Sequence, residues 1–278
     1  MTWFDWPRDR VVMVTGASSG IGRATALAFG AAGARVALVA RRRAELEALA
    51  AEMRTEVAVL PTDVTDREAV RAAFDAAASR LGGLDVVVNN AGILRPSPVV
   101  DIDPADLEAM LRVNLFGALW VMQESVRLMR RRGDGVVVNV ASLGGRRGVS
   151  PIGGYCATKF ALVGLTEALR EELNGSGVHV ALVEPGVVET PMVHEATQDQ
   201  EFLDFWPQSL NMPPSWVVWA IFVAARFRLA EISVPPGAGM IEKLASLAPG
   251  LSDELVHWVK SASHWLAPTR PSRMLPRA

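Results

Sequence analysis

Short apolar runs recur along the first two thirds of the chain, each followed by a stretch with helical spacing. The runs VVMVTG (11–16), RVALVA (35–40), EVAVLPTD (56–63), LDVVVNNAG (84–92), GVVVNVAS (135–142) and HVALVEPG (179–186) are rich in valine and bounded by Gly, Pro, Asn or Asp. Continuous apolar runs of this length suit strands covered on both faces. Between them, GIGRATALAFGAAG ends on Gly33, a natural residue just past a helix end. RAELEALAAEM follows the second run, and TDREAVRAAFDAAASRLGG opens with Thr65-x-x-Glu68, which reads as a capping box, and stops at Gly82-Gly83. Residues 104–132 read as one long helix opening on Pro104, and 154–173 as another. Six strands alternating with helices predict an α/β fold with a parallel, doubly wound sheet and right-handed crossovers.

After residue 190 the alternation stops. Residues 191–213 are expected to be irregular, 214–229 helical, and EISVP (231–235) a short strand. GMIEKLASL and SDELVHWVKSASHWL read as two amphipathic helices split by Pro249-Gly250, ahead of a mobile tail. This predicts one main domain over 1–235, including a substrate lid at about 187–213, and a helical C-terminal extension over 236–278.

Composition narrows the function classes. Half of the 278 residues are apolar, 21% are charged, and the net charge of −2 gives no basic field for nucleic acid. A single cysteine allows no internal disulfide, and the four histidines show no metal-ligand spacing, so no metal is expected. No signal-peptide pattern opens the chain and no run of about 18 apolar residues occurs, so the expectation is a cytoplasmic protein without a transmembrane segment.

Two patterns carry chemistry. The first is TGASSGIG (15–22), between the first strand and the first helix. Glycines there let the backbone approach a pyrophosphate, and a helix N-terminus offers free N–H groups and partial positive charge. The spacing is Gly16-x-x-x-Gly20-x-Gly22, and Ser18, Ser19 and Ile21 complete the turn. At the end of the second strand an acid would bond a ribose 2′-hydroxyl, but LVARRR places Ala40 there, followed by Arg41, Arg42 and Arg43. The missing acid favours NADP(H), with Arg41 as the first candidate for the 2′-phosphate and Arg23 a weaker one.

The second is YCATK (155–159). It holds the only tyrosine of the chain, and its lysine is one of three among 28 basic residues. On a helix, Tyr155 and Lys159 share a face. A neighbouring ammonium favours phenolate, which makes Tyr155 a candidate general acid/base with a pKa expected below the free value of about 10. Cys156 between them reads as a small packing residue.

Taken in order and spacing, Thr15-Gly16-x3-Gly20-Ile21-Gly22, Asn89-Asn90-Ala91-Gly92, Asn114, Ser142, Tyr155-x3-Lys159 and Pro185-Gly186 resemble the classical short-chain dehydrogenase/reductase family over residues 10 to about 192. The resemblance implies a Rossmann-type fold binding a nicotinamide cofactor. It implies Tyr155 as acid/base, Lys159 on the nicotinamide ribose, Ser142 on the substrate oxygen, and Asn114 anchoring a water in a proton relay. It further implies cofactor contacts from Asp63 and Val64 after the third strand and from Asn90, Ala91 and Gly92 after the fourth. After the sixth strand, Pro185, Gly186, Val188 and the carboxamide-binding Thr190 would follow. The long helices imply a homodimer or homotetramer.

The family's Asp-Gly-Gly signature near the last strand is replaced by EISVPPGAGMIEKL, which leaves the usual subunit contact there in doubt. Leu143, Val149, Ile152, Val188, Met192, Phe202, Phe205, Trp206 and Met212 would form an apolar pocket for a ketone, aldehyde or secondary alcohol. Trp258, Trp265 and Leu266 of the tail would cover a neighbouring subunit or close the pocket. Two other readings stay open: a non-catalytic NADP sensor or scaffold on the same fold, and a peripheral membrane reductase of lipid-like substrates.

Overall fold

The computed structural model describes residues 6–196, 211–245, 247 and 250. The predicted helix at 252–266, the tail, and the pocket residues Phe202, Phe205 and Trp206 lie outside the described residues. Seven strands form one sheet: β1 (Val11–Thr15), β2 (Arg35–Ala40), β3 (Val57–Pro61), β4 (Val86–Asn89), β5 (Gly135–Val140), β6 (Val178–Pro185) and β7 (Glu231–Val234). Their order is β3-β2-β1-β4-β5-β6-β7, and every neighbouring pair is parallel. The chain therefore winds outward in both directions from β1 and β4. Such a reversal opens a crevice at the carboxyl ends of those two strands.

Strand alternation feeds two cores. Val12 and Val14 of β1 point to one face, where α1 (Gly20–Ala31), α2 (Arg43–Glu52) and α8 (Pro214–Phe227) pack through Phe29, Leu46, Leu49 and Ile221. Val11 and Met13 point to the other, against α3 (Arg67–Leu81), α5 (Ala118–Arg132) and α6 (Gly153–Glu172), through Phe74, Met122 and Leu162. Phe29 and Phe222 stack at 4.0 Å between centroids, tying α1 to α8. Burying one such ring contributes about 1.5–3 kcal/mol.

Three local expectations change. The capping box at Thr65 is absent: Asp66 is the N-cap of α3, accepting from the Glu68 and Ala69 N–H groups, while Thr65 bonds back to Asp63. A carboxylate one residue later is the better acceptor for first-turn N–H groups. The helix expected over 104–132 is α4 (Pro104–Leu111), a π turn (Arg112–Gly117) and α5 in series. Past residue 190, α7 (Pro191–Ala196) adds a short helix where irregular chain was expected. The last described helix, α9 (Ala238–Ala245), follows β7. Among the described residues, no helix is long and apolar enough to cross a membrane.

Candidate active site

The glycine turn leaves β1 at the crevice. Gly16 and Gly20 adopt left-handed φ values of 67° and 53°. A methyl on Gly22 would lie 2.3 Å from the Gly16 carbonyl oxygen and 2.7 Å from Asn90 Nδ2, so only glycine lets α1 start this close to β1. Asn90 braces the turn: its side-chain amide donates to Thr15 O (3.0 Å) and its backbone N–H to Thr15 Oγ1 (2.9 Å). Thr15 Oγ1 also receives the Ala91 N–H at 3.1 Å. Ser19 is the N-cap of α1, yet its side chain makes no capping bond and the first turn holds no acid. Those helix N–H groups keep their capacity for an anion, which is what a pyrophosphate needs.

Around the mouth, Arg41, Arg42 and Arg43 are all exposed. Arg42 reaches over the turn and donates to Ser18 Oγ at 3.0 Å, a link that residue spacing alone could not reveal. Arg23 pairs instead with Glu52 at 2.5 Å. Asp63 Oδ1 accepts from both Thr65 N and Thr65 Oγ1. Val64 is buried against the π turn, where a methyl on Gly117 would lie 2.9 Å from its Cγ2. On the far side, Thr190 approaches Gly20, within 3.2 Å of where a methyl there would sit. Of the residues expected around the cofactor, the turn at 16–22 is thus held against Asn90-Ala91 and against Thr190.

The four expected catalytic residues also converge. Ser142 caps the 3-10 turn Leu143–Gly145, accepting the Gly144 N–H at 3.0 Å, and hydrogen-bonds the Tyr155 hydroxyl. Lys159, one turn along α6, is buried; its Nζ donates to Val140 O (3.0 Å) and lies 5.6 Å from the Tyr155 ring centroid. A methyl on Gly92 would fall 3.3 Å from Asn114 Oδ1 and 3.7 Å from Lys159 Nζ, so Gly92 opens the space between them.

Two details of the cluster were not expected. Asn114, fully buried in the π turn, accepts the Ile93 N–H and donates to Ile93 O (2.9 Å) and Thr158 Oγ1 (3.1 Å). Both amide hydrogens are committed, leaving none for a water. Thr158 donates in turn to Tyr155 O at 2.7 Å and so fastens the π turn to α6. Nothing in the sequence marks this bond, which joins positions 44 apart.

The structure does not show the expected fall of the Tyr155 pKa. Burial pushes the phenol above its ordinary value, and the Ser142 bond opposes this only in part. The cause is desolvation of the phenolate, which outweighs a lysine placed over the ring and bonded elsewhere. Burial lowers Lys159 to about 8. Cys156 is buried, with its thiol pushed up by burial, as a packing residue should be.

Among the expected pocket residues, a methyl on Gly186 would meet Met212 at 3.2 Å and Leu143 at 3.4 Å. Val188 bridges to Met212. An apolar wall therefore stands beside Ser142.

A family profile described as short chain dehydrogenase matches residues 10–201. D-threitol dehydrogenase of Mycolicibacterium smegmatis is 38% identical over 197 residues, covering 69% of this chain and 76% of its own. Levodione reductase of Leifsonia aquatica is 38% identical over 194 residues, covering 68% and 73%. A crystal structure of levodione reductase superposes with a TM-score of 0.77 at 31% identity, over 84% of this chain and 98% of that one. The 3-ketoacyl-(acyl-carrier-protein) reductase of Brucella melitensis, complexed with NADH, gives 0.74 at 29%, over 82% and 97%. With the glycine turn, the crevice and the Ser-Tyr-Lys cluster in place, the chain belongs to the short-chain dehydrogenase/reductase family of oxidoreductases.

Proposed function

We propose that the protein is an NADP(H)-dependent oxidoreductase that transfers hydride between nicotinamide and an apolar carbonyl/secondary alcohol pair. The observation that carries this is the contact of Ser142 with Tyr155 beside the buried Lys159, opening on the glycine-turn crevice. A sensor or scaffold needs the crevice but not this cluster. The cofactor supplies or accepts the hydride. Ser142 holds the substrate oxygen, and the Tyr155 hydroxyl gives it a proton during reduction or takes one during oxidation. A phenol held protonated by burial suits the reductive direction. Lys159 is set to bond a ribose hydroxyl and to offer charge to the phenolate as the proton leaves.

The absence of an acid at Ala40 supports NADP(H). Arg41 remains the first candidate for the 2′-phosphate, and Arg42, held on Ser18, is a second. Leu143, Val188 and Met212 support an apolar substrate. The half-exposed Phe116 and Phe160, on the π turn and α6, with Trp120 beside Phe116, support a homo-oligomer built through that face. Residues 236–278 are assigned to an extension beginning with α9, and 187–213 to the substrate lid.

The test is a panel of apolar ketones with NADPH and with NADH, run on the native protein and on Arg41→Ala and Arg42→Ala. Oxidation of NADPH in preference to NADH is expected, with the preference reduced by at least one substitution. An equal rate with both cofactors removes the NADP(H) assignment, and no oxidation with any ketone removes the reductase reading.

A further inference from the structure

Arg146 ends the 3-10 turn that begins at Ser142, and its backbone N–H bonds Leu143 O at 2.9 Å. All three nitrogens of its guanidinium are engaged. Nε donates to Glu184 (2.6 Å) in β6, Nη1 to Glu167 (3.0 Å) in α6, and Nη2 to Glu231 (2.9 Å) in β7. Lys243 of α9 then holds both oxygens of Glu231, at 2.6 and 2.7 Å. The fork is largely buried: the Arg146 side chain is 13% exposed and Glu184 0%.

The turn presses on the catalytic residues. A methyl on Gly144 would lie 3.4 Å from Ser142 Oγ and 3.9 Å from the Tyr155 ring, and one on Gly145 would lie 3.0 Å from Lys159 O. Glu184 immediately precedes Pro185-Gly186, which enter the crevice. One side chain thus ties the turn bearing Ser142 to the strand end that lines the cofactor site. A fixed three-way fork of this kind needs arginine, because lysine presents only a point charge.

We propose that Arg146 is a positioning residue for the reaction, locking the Ser142 turn to the end of β6 and, through Glu231 and Lys243, to α9. It rests on the oxidoreductase reading. Nothing in its geometry touches the cofactor crevice, so it acts through Ser142 and Pro185-Gly186. Burial and the facing Glu231 push the Glu184 carboxyl up, and Arg146 opposes this. Among the described residues no basic or amide group reaches Glu184 Oε2, and the Glu231 carboxyl lies beside it. Removing Arg146 alone would push the Glu184 carboxyl further up and leave a buried acid without its donor.

The experiment pairs Arg146→Met with Glu184→Gln in one protein, so that no buried acid loses its donor, and adds Arg146→Lys as the conservative variant. Amide hydrogen exchange is read over 142–148 and, as a control, over β4. Steady-state rates are read with cyclohexanone, acetophenone and NADPH. In the double variant, exchange at 142–148 is expected to rise at least ~10-fold with β4 unchanged. Its kcat is expected to fall roughly 10- to 100-fold, as a slightly misplaced catalytic group does, with the KM for NADPH within about twofold. Arg146→Lys should recover part of both. Unchanged exchange at 142–148, or an unchanged kcat, overturns the proposal. If the native protein reduces neither, the rates are read with the panel ketone it reduces fastest; if it reduces none, the reductase reading is what fails, and exchange alone decides whether Arg146 holds the turn. Should the double variant not fold, Arg146→Lys carries the same two readouts against the native protein.

Discussion

Lys159 is an ammonium buried beside a buried phenol, and the fold bears a cost for keeping it there. Burial lowers it from 10.5 to about 8. At 1.36 kcal/mol per pKa unit, that fall corresponds to about 3 kcal/mol of destabilisation while the folded lysine is charged. The sign follows from proton binding. Between pH 8 and 10.5 the unfolded chain holds the proton and the folded one does not, so this contribution to stability rises with pH. Below pH 8 both states are charged and the full cost applies. In Lys159→Met the cost disappears at every pH, while the Val140 carbonyl loses its donor, an offset of about 1 kcal/mol that does not vary with pH. The variant should therefore be more stable than the native protein by about 2 kcal/mol at pH 7. That advantage should shrink by about 2–3 kcal/mol by pH 10. Urea unfolding followed by tryptophan fluorescence at pH 7, 8, 9 and 10 measures it. Parallel stability curves, or an advantage that grows with pH, would refute the burial of a charged lysine here.

Tyr155 is the only tyrosine, so tyrosinate absorbance in the ligand-free protein reports this residue alone; its midpoint should lie above 10, and one at or below 10 would show that Lys159 outweighs burial. Thr158→Val frees an Asn114 N–H from its partner and should cost roughly 10-fold in kcat with the KM for NADPH nearly unchanged. Thr158→Ser should restore the rate, and an active valine variant would assign Thr158 to packing alone. Gly22→Ala puts a methyl 2.3 Å from the Gly16 carbonyl oxygen and should abolish NADPH binding measured by fluorescence, whereas retained binding would show that the turn gives way.

Much of the fold was legible because its causes are local. Valine-rich runs bounded by Gly, Asn and Pro became strands, and α3 ended at Gly82, where the sequence places its stop, in the left-handed conformation. The cofactor crevice followed, since strand ends and helix starts fix where a glycine turn points. What stayed hidden depends on contacts between distant positions. The π turn at 112–117 exists with Asn114 bonded to Ile93 and Thr158, neither of which marks it in the sequence. The Arg146 fork joins residues 21, 38 and 85 positions away. The Tyr155 pKa departs from expectation because four-residue spacing shows that two side chains share a face, but not which atoms meet or how much water remains.

The central assignment is that the Tyr155 hydroxyl moves the proton while the crevice binds the cofactor. The direct measurement compares native protein and Tyr155→Phe for NADPH binding by fluorescence and for kcat on the ketone the native protein reduces fastest. Equal NADPH affinity with kcat lowered at least ~100-fold is the expected result; equal turnover by the two proteins would contradict it.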